Sequence, residues 1–101
     1  EGQMDGQTAM GKAPVGVAGL AKKYEKTVIA FTGAAGADAE KCNDHGIDAF
    51  FPILRNVVTM EEAMKNENAK RNLADTAEQV YRLWRAGAGR VSGTFLLPEM
   101  Y

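Results

Sequence analysis

A continuous apolar run near the middle of the chain constrains the fold more than any other feature. Residues 27–32 are Thr-Val-Ile-Ala-Phe-Thr, a run of β-branched and aromatic side chains. Such runs are typical of strands that are covered on both faces, as in a parallel sheet. Residues 47–53 predict a second short strand, which ends at Pro52 because proline cannot donate a hydrogen bond into a ladder.

Helices alternate with these two strands in the predicted order of elements. Pro14 suits the first turn of the first helix, and Gly46 closes the second. Thr59 and Glu62 have the spacing of a capping box, which predicts the start of a third helix. The predicted helices cover residues 13–25, 37–44, 60–65 and 67–85.

This order predicts the α/β class, with a small parallel sheet flanked by helices. Gly16 and Gly19 lower the propensity of the first helix, and we interpret them as points where that helix packs closely on a sheet. Residues 90–101 have no helical period and predict an extra strand or a tail. The first residue is Glu rather than Met, which suggests that the numbering begins inside a longer gene product.

The composition argues against several classes of protein. The formal net charge is −1, whereas proteins that bind nucleic acids or membrane surfaces carry basic patches. No apolar run approaches the 18 residues of a membrane span. Cys42 is the single cysteine, which excludes a disulfide within the chain and fits the reducing cytoplasm. Cys42 and His45 together are too few ligands for a metal site.

Residues 1–11 are rich in glycine and polar residues and predict a loop before the first helix. Asp5 is interpreted either as a general base or Mg²⁺ ligand, or as the residue of an Asx turn that caps the loop. Gln7 and Thr8 could bind hydroxyl or carboxylate groups of a substrate, or satisfy the loop backbone. Lys12 is unfavourable at the start of a helix unless an anion binds there, the alternative being a solvated lysine.

A glycine-rich turn after the first strand is a second candidate for ligand binding. Gly33 and Gly36 lie in Thr-Gly-Ala-Ala-Gly-Ala-Asp, where a strand ends and a helix begins. Backbone N–H groups at such a turn can hold a phosphate or a carboxylate. The turn has neither the Gly-Lys-Ser/Thr of a Walker A loop nor a GxGxxG pattern.

Residues 1–24 resemble a motif of bacterial two-domain glycerate kinases, Gly-Glu-Gly-Arg-x-Asp-x-Gln-Thr/Ser followed by Gly-Lys-x-Pro-x-Gly-Val-Ala. Three later segments, Lys-Thr-Val-Ile-Ala-Phe-Thr-Gly-Ala-Ala-Gly, His-Gly-Ile-Asp-Ala-Phe-Phe-Pro-Ile-Leu and Thr-Met-Glu-Glu-Ala-Met, follow in that family's order. The resemblance covers residues 1–85 and leaves 86–101 as a tail outside the family pattern. It implies a C-terminal fragment of a larger Rossmann-like, three-layer α/β domain.

The resemblance also implies a function. The family transfers a phosphoryl group from ATP, with Mg²⁺, to a hydroxyl of D-glycerate and gives phosphoglycerate. Asp5 would be the motif acid in the interdomain cleft, with Gln7, Thr8 and Lys12 facing substrate or phosphate. Gln3 stands where the family commonly has arginine.

A full family member is several times longer than this chain, so we expect this chain alone to be inactive. Its partners would be D-glycerate and the remainder of the kinase chain, with self-association through apolar surface left exposed. The alternative interpretation is a stand-alone small α/β module that binds an anion or a nucleotide without catalysis.

Overall fold

The computed structural model describes residues 2–88 and has the predicted alternation of strands and helices. In chain order the elements are β1 (Gln3–Met4), a first 3₁₀ helix (Thr8–Met10), α1 (Ala13–Lys23), β2 (Ile29–Thr32), β3 (Ala34–Ala35), a second 3₁₀ helix (Ala39–His45), β4 (Ala49–Pro52), α2 (Met60–Ala63) and α3 (Asn66–Gly87). The predicted α/β class with small parallel sheets and flanking helices is confirmed. The strand or tail predicted over 90–101 lies outside the described residues.

The strands form two parallel pairs, and Gly33 connects a strand of one pair to a strand of the other. β2 pairs with β4, so that Ile29 lies opposite Ala49. β3 pairs with β1, so that Gln3 lies opposite Ala34. The prediction that the first strand stops at Gly33 is therefore incomplete, since the chain continues in extended form beyond this glycine and changes its pairing partner there.

Two predicted elements differ in detail from the structure. Residues 1–11 are predicted as a loop, whereas β1 and the first 3₁₀ helix lie within that segment. The second predicted helix is a 3₁₀ helix that ends at Gly46, whose φ of +97° is the left-handed conformation that favours glycine. The predicted capping box is confirmed at its first half, because Thr59 Oγ1 accepts the N–H of Glu62 at 3.2 Å.

The main core lies beneath β1, between α1 and the second 3₁₀ helix. Its fully buried members include Met4 and Cys42, and the cluster comprises Met4, Ala9, Ala18, Ala39, Cys42 and Ile47. Because β1 contributes Met4 to this core, the loop that follows β1 begins from a fixed position. Among residues 2–88, no helix combines the length and apolar character needed to cross a bilayer.

The buried face of α1 is not the face that the glycines predict. Ala18 is completely buried, and a Cβ built on Gly46 would lie 3.3 Å from the Ala18 Cβ. A Cβ built on Gly16 or Gly19 would meet no atom of residues 2–88 within 4 Å. The interpretation of Gly16 and Gly19 as points of close packing is therefore wrong for this part of the chain, because the close approach occurs at Ala18.

Replacement of Gly19 by alanine is expected to stabilise this chain. The added methyl group enters open space, and alanine is favoured over glycine in a helix by about 0.5–1 kcal/mol. Urea unfolding followed by circular dichroism measures the change, and Gly46→Ala, which forces alanine into a left-handed conformation, is the destabilising comparison. A loss of stability in Gly19→Ala would show that α1 packs through Gly19 after all.

Candidate functional site

The candidate site begins at Asp5, directly after β1. Its Oδ1 atom accepts the backbone N–H groups of Gln7 at 2.9 Å and Thr8 at 3.3 Å. This is the geometry of an Asx turn, one of the two interpretations of Asp5 from the sequence, and it begins the first 3₁₀ helix. The carboxylate is therefore held in one orientation by the backbone that follows it.

Thr8 contacts both the backbone and the carboxylate of Asp5. Its side chain is completely buried, and its Oγ1 accepts the backbone N–H of Asp5 at 3.1 Å. The same hydroxyl lies 3.5 Å from Asp5 Oδ1, to which it donates. The resemblance implies that Thr8 faces substrate, and the alternative interpretation is that it satisfies the loop backbone. The structure directs its hydroxyl at Asp5, so that Thr8 positions the acid.

Gln3 contacts the other oxygen of the Asp5 carboxylate. Its Nε2 donates to Asp5 Oδ2 at 3.3 Å, and a Cβ built on Gly36 would lie 2.7 Å from the same nitrogen. Gln3 is not among the site residues that the sequence predicts. The spacing of Gln3 and Asp5 indicates this contact, because side chains two residues apart in extended backbone point to the same side.

Asp5 is ionised over most of the pH range. Its partial burial acts to raise its pKa, but the hydrogen bonds from the N–H groups of Thr8 and Gln7 lower it, as do the charge of Lys12 and the amide of Gln3. Together these groups hold the pKa of Asp5 below its ordinary value. The side chain is therefore a carboxylate at neutral pH.

The Asp5 cavity is an open, polar hollow in front of this carboxylate. Its volume is about 460 Å³, which is in the range of pockets that hold small molecules. Gln7, Asp38 and Lys41 line it together with Asp5. Asp38 and Lys41 come from the segment after β3. Their approach to Asp5 is not predicted from the sequence, because more than 30 residues separate them from Asp5 along the chain.

Lys12 is exposed at the residue before α1, close enough for its charge to lower the pKa of Asp5. It is not among the residues that line the Asp5 cavity. Lys12 therefore contributes a positive charge near the carboxylate without closing the cavity.

The glycine-rich turn packs against β1. The N–H groups of Ala34 and Gly36 donate to the carbonyl oxygens of Gly2 at 3.0 Å and Met4 at 2.7 Å. A side chain on Gly33 would collide with the carbonyl oxygen of Gly2. Gly33 is thus required for the close approach of the two chain segments, whereas a side chain at Gly36 would meet the movable end of the Gln3 side chain. The part of both glycines in binding an anion stays a prediction.

The acidic residues of the cavity suit a magnesium ion shared with a phosphate. Among residues 2–88, no group of three or more histidine, cysteine, aspartate or glutamate side chains is placed to hold a metal ion alone. Mg²⁺ is usually bound by one or two carboxylates, with water and substrate phosphates completing its shell. Asp5 and Asp38 both line the Asp5 cavity, so carboxylates of the kind that bind Mg²⁺ are present there.

Comparison with known proteins places the chain among one group of enzymes. The family model described as "Glycerate kinase family" matches residues 1–85. Over 83 residues the chain is 42% identical to a glycerate kinase of Haemophilus influenzae, covering 82% of this chain and 21% of that protein. It is 42% identical over 81 residues to a glycerate 2-kinase of Escherichia coli, covering 75% of this chain and 21% of that protein.

A third relative matches with similar identity and over a similar share of its length. It is a glycerate kinase of Halalkalibacterium halodurans, 43% identical over 79 residues that make up 73% of this chain and 21% of that protein. The chain thus spans about a fifth of the length of the curated relatives it matches. No solved structure matches the chain significantly.

Proposed function

This chain belongs to the glycerate kinase family, and we propose that it supplies the part of such a kinase that receives the acceptor hydroxyl. In the proposed reaction the γ-phosphoryl group of ATP passes to a hydroxyl of D-glycerate and gives phosphoglycerate. The observation that carries the proposal is the Asp5 carboxylate, ionised and fixed at the mouth of an open cavity. The alternative of a stand-alone binding module gains no better support from the comparisons.

The two oxygens of Asp5 have different tasks in this proposal. Oδ1 already accepts the N–H groups of Gln7 and Thr8, whereas Oδ2 accepts only the amide of Gln3 among the described residues. Oδ2 is therefore the atom that accepts the hydrogen bond of the substrate hydroxyl. As the new P–O bond forms, the bond between the γ-phosphorus and the bridging oxygen of ATP breaks and ADP leaves. The hydroxyl proton passes to Asp5 Oδ2, which is the role a carboxylate has in phosphoryl transfer.

The remaining residues of the site bind and orient charge. We place the amide of Gln7 against the hydroxyl or carboxylate groups of glycerate, because Gln7 is exposed in the cavity. Lys12 and Lys41 attract the carboxylate of the substrate and the transferred phosphate. Lys41 is available for this, since its contact with Asp38 is long at 3.8 Å and exposed to solvent.

Asp38 is the carboxylate of the Asp5 cavity that would hold Mg²⁺, because Oδ1 of Asp5 is already engaged and its Oδ2 takes the substrate hydroxyl. When bound with ATP, Mg²⁺ would neutralise phosphate charge. We place the other contacts to ATP on the portion of the family's polypeptide that this chain does not span. We also place the protein in the cytoplasm, where a single reduced cysteine is ordinary.

An apolar face of α1 supports the proposal that more polypeptide packs here. Val17 and Leu20 of α1 and Tyr24, the residue directly after it, follow one another at helical spacing and are between 59% and 70% exposed. Monomeric proteins seldom leave such a contiguous apolar stripe in water. The remainder of a kinase chain would cover it, and the isolated chain would associate with itself through it.

The proposal is tested by assaying the complete protein that carries this chain, and this chain alone, with ATP, Mg²⁺ and D-glycerate. We expect turnover by the complete protein and none by this chain, because the Asp5 cavity is open to water on its own. A reaction with EDTA in place of Mg²⁺ is the control. No phosphoglycerate from the complete protein would contradict the proposed function, and turnover by this chain alone would contradict its expected inactivity.

A further inference from the structure

A second polar cavity, the arginine cavity, lies between the loop that follows β4 and the first half of α3. Its volume is about 450 Å³, and it shares no residue with the Asp5 cavity. Its lining includes two guanidinium groups, Arg55 and Arg71, and the carboxamide of Asn72. Neither the resemblance nor the comparisons give these residues a role.

The fold holds Arg55 in place at this cavity. Arg55 follows the carboxyl end of β4, and ligands of parallel α/β sheets bind at the carboxyl ends of strands. Its Nη1 donates to Thr76 Oγ1 at 3.3 Å, and Thr76 is 93% buried on α3. The guanidinium of Arg55 is thus directed toward α3, from which Arg71 enters the same cavity.

Among residues 2–88, neither Arg55 nor Arg71 forms an ion pair within 4.0 Å. Each ion pair found there joins other residues, although Glu62 and Asp75 line the same cavity. Glu62 is engaged elsewhere, because its carboxylate pairs with Lys65 at 2.9 Å and accepts the amide of Asn68 at 3.3 Å. The arginine cavity therefore carries two guanidinium groups with unused donors.

We propose that the arginine cavity binds a phosphate monoester that also carries hydroxyl or amino groups. Planar guanidinium forks match the oxygens of a phosphate and bind it through paired, charge-assisted hydrogen bonds. The amide of Asn72 and the carboxylate of Asp75 offer partners to hydroxyl or amino groups of the same ligand. The volume of the cavity is that of an ordinary small-molecule site.

The test titrates this whole chain with inorganic phosphate and, separately, with AMP, at constant ionic strength adjusted with sodium chloride. NMR shifts of the backbone amides over residues 68–76 report binding. We expect saturable shifts with both probes and tighter binding of AMP. Arg71→Gln is expected to weaken both about tenfold, the loss of one charged hydrogen-bonding group.

The matched control is Arg82→Gln, which makes the same charge change on α3 outside the cavity, where Arg82 lies 3.9 Å from Glu78. This variant should leave both affinities unchanged. Arg71 carries the test because Arg55→Gln also removes the bond to Thr76 and so changes stability. Absence of saturable shifts, or equal weakening in Arg71→Gln and Arg82→Gln, would overturn the site. Binding of AMP no tighter than that of phosphate would overturn the monoester as its ligand.

Discussion

Replacement of Asp5 by asparagine is expected to lower kcat of the complete enzyme by about 10²–10⁴-fold, the usual contribution of a general base. The amide can neither take the hydroxyl proton nor carry the negative charge that orients it. Its oxygen can still accept the N–H groups of Gln7 and Thr8, because asparagine begins helices as well as aspartate does. The fold should therefore survive while the chemistry fails.

Steady-state kinetics with saturating ATP and D-glycerate measure this effect, and circular dichroism checks the fold. Asp44→Asn is the matched control, since Asp44 is exposed on the second 3₁₀ helix and does not line the Asp5 cavity. Its kcat should equal that of the parent enzyme. If Asp5→Asn kept the parent's kcat, Asp5 would only begin the 3₁₀ helix and would have no part in catalysis.

The depressed pKa of Asp5 sets the direction of the pH dependence. In the proposed mechanism the carboxylate is the active form, so the activity that depends on Asp5 is expected to be lost as the pH falls through the pKa of Asp5 in the folded protein. That pKa lies below the ordinary value of a carboxyl group, so the fall in activity on the acid side of the pH profile that depends on Asp5 occurs at correspondingly low pH. The folding stability that comes from the lowered pKa of Asp5 is fully present at pH values above the ordinary pKa of aspartate. It is lost as the pH falls from there through the pKa of Asp5 in the folded protein.

The sequence predicts the order of the long elements because they carry strong periodic signals. The run over residues 27–32 and the capping box at Thr59 are examples, and both correspond to elements of the structure. β1 and β3 escape prediction because each has two residues and exists only through pairing with the other. Such strands are products of tertiary contact and leave no periodic pattern to detect.

Some residues of the candidate site are likewise predicted from the sequence and others are not. Asp5 and Gln7 are found from the sequence because polar groups that favour special backbone conformations cluster there. The inward direction of Thr8 and the arrival of Lys41 depend on how the second 3₁₀ helix packs against the first, which local sequence does not specify. The arginine cavity likewise joins Arg55 to residues more than a dozen positions away on α3.

Gly33→Ala is expected to destabilise the fold by about 1–3 kcal/mol, or more if β1 is forced from its place. The new methyl group would collide with the carbonyl oxygen of Gly2, which is backbone and cannot turn aside. Relief of the collision requires β1 to separate from β3, and β1 leads directly into Asp5. The complete enzyme should therefore lose activity together with stability, even though Gly33 does not line the Asp5 cavity.

Urea unfolding measures the loss of stability. Hydrogen exchange locates it at the amides of Ala34 and Gly36, which donate to the carbonyl oxygens of Gly2, directly before β1, and of Met4 in β1. Gly36→Ala is the graded comparison, because its methyl group would press on the end of the flexible Gln3 side chain, which can move. We expect that variant to lose less stability than Gly33→Ala. Equal stability of Gly33→Ala and the parent chain would mean that β1 does not lie against β3, and the orientation of Asp5 derived from that pairing would fall with it.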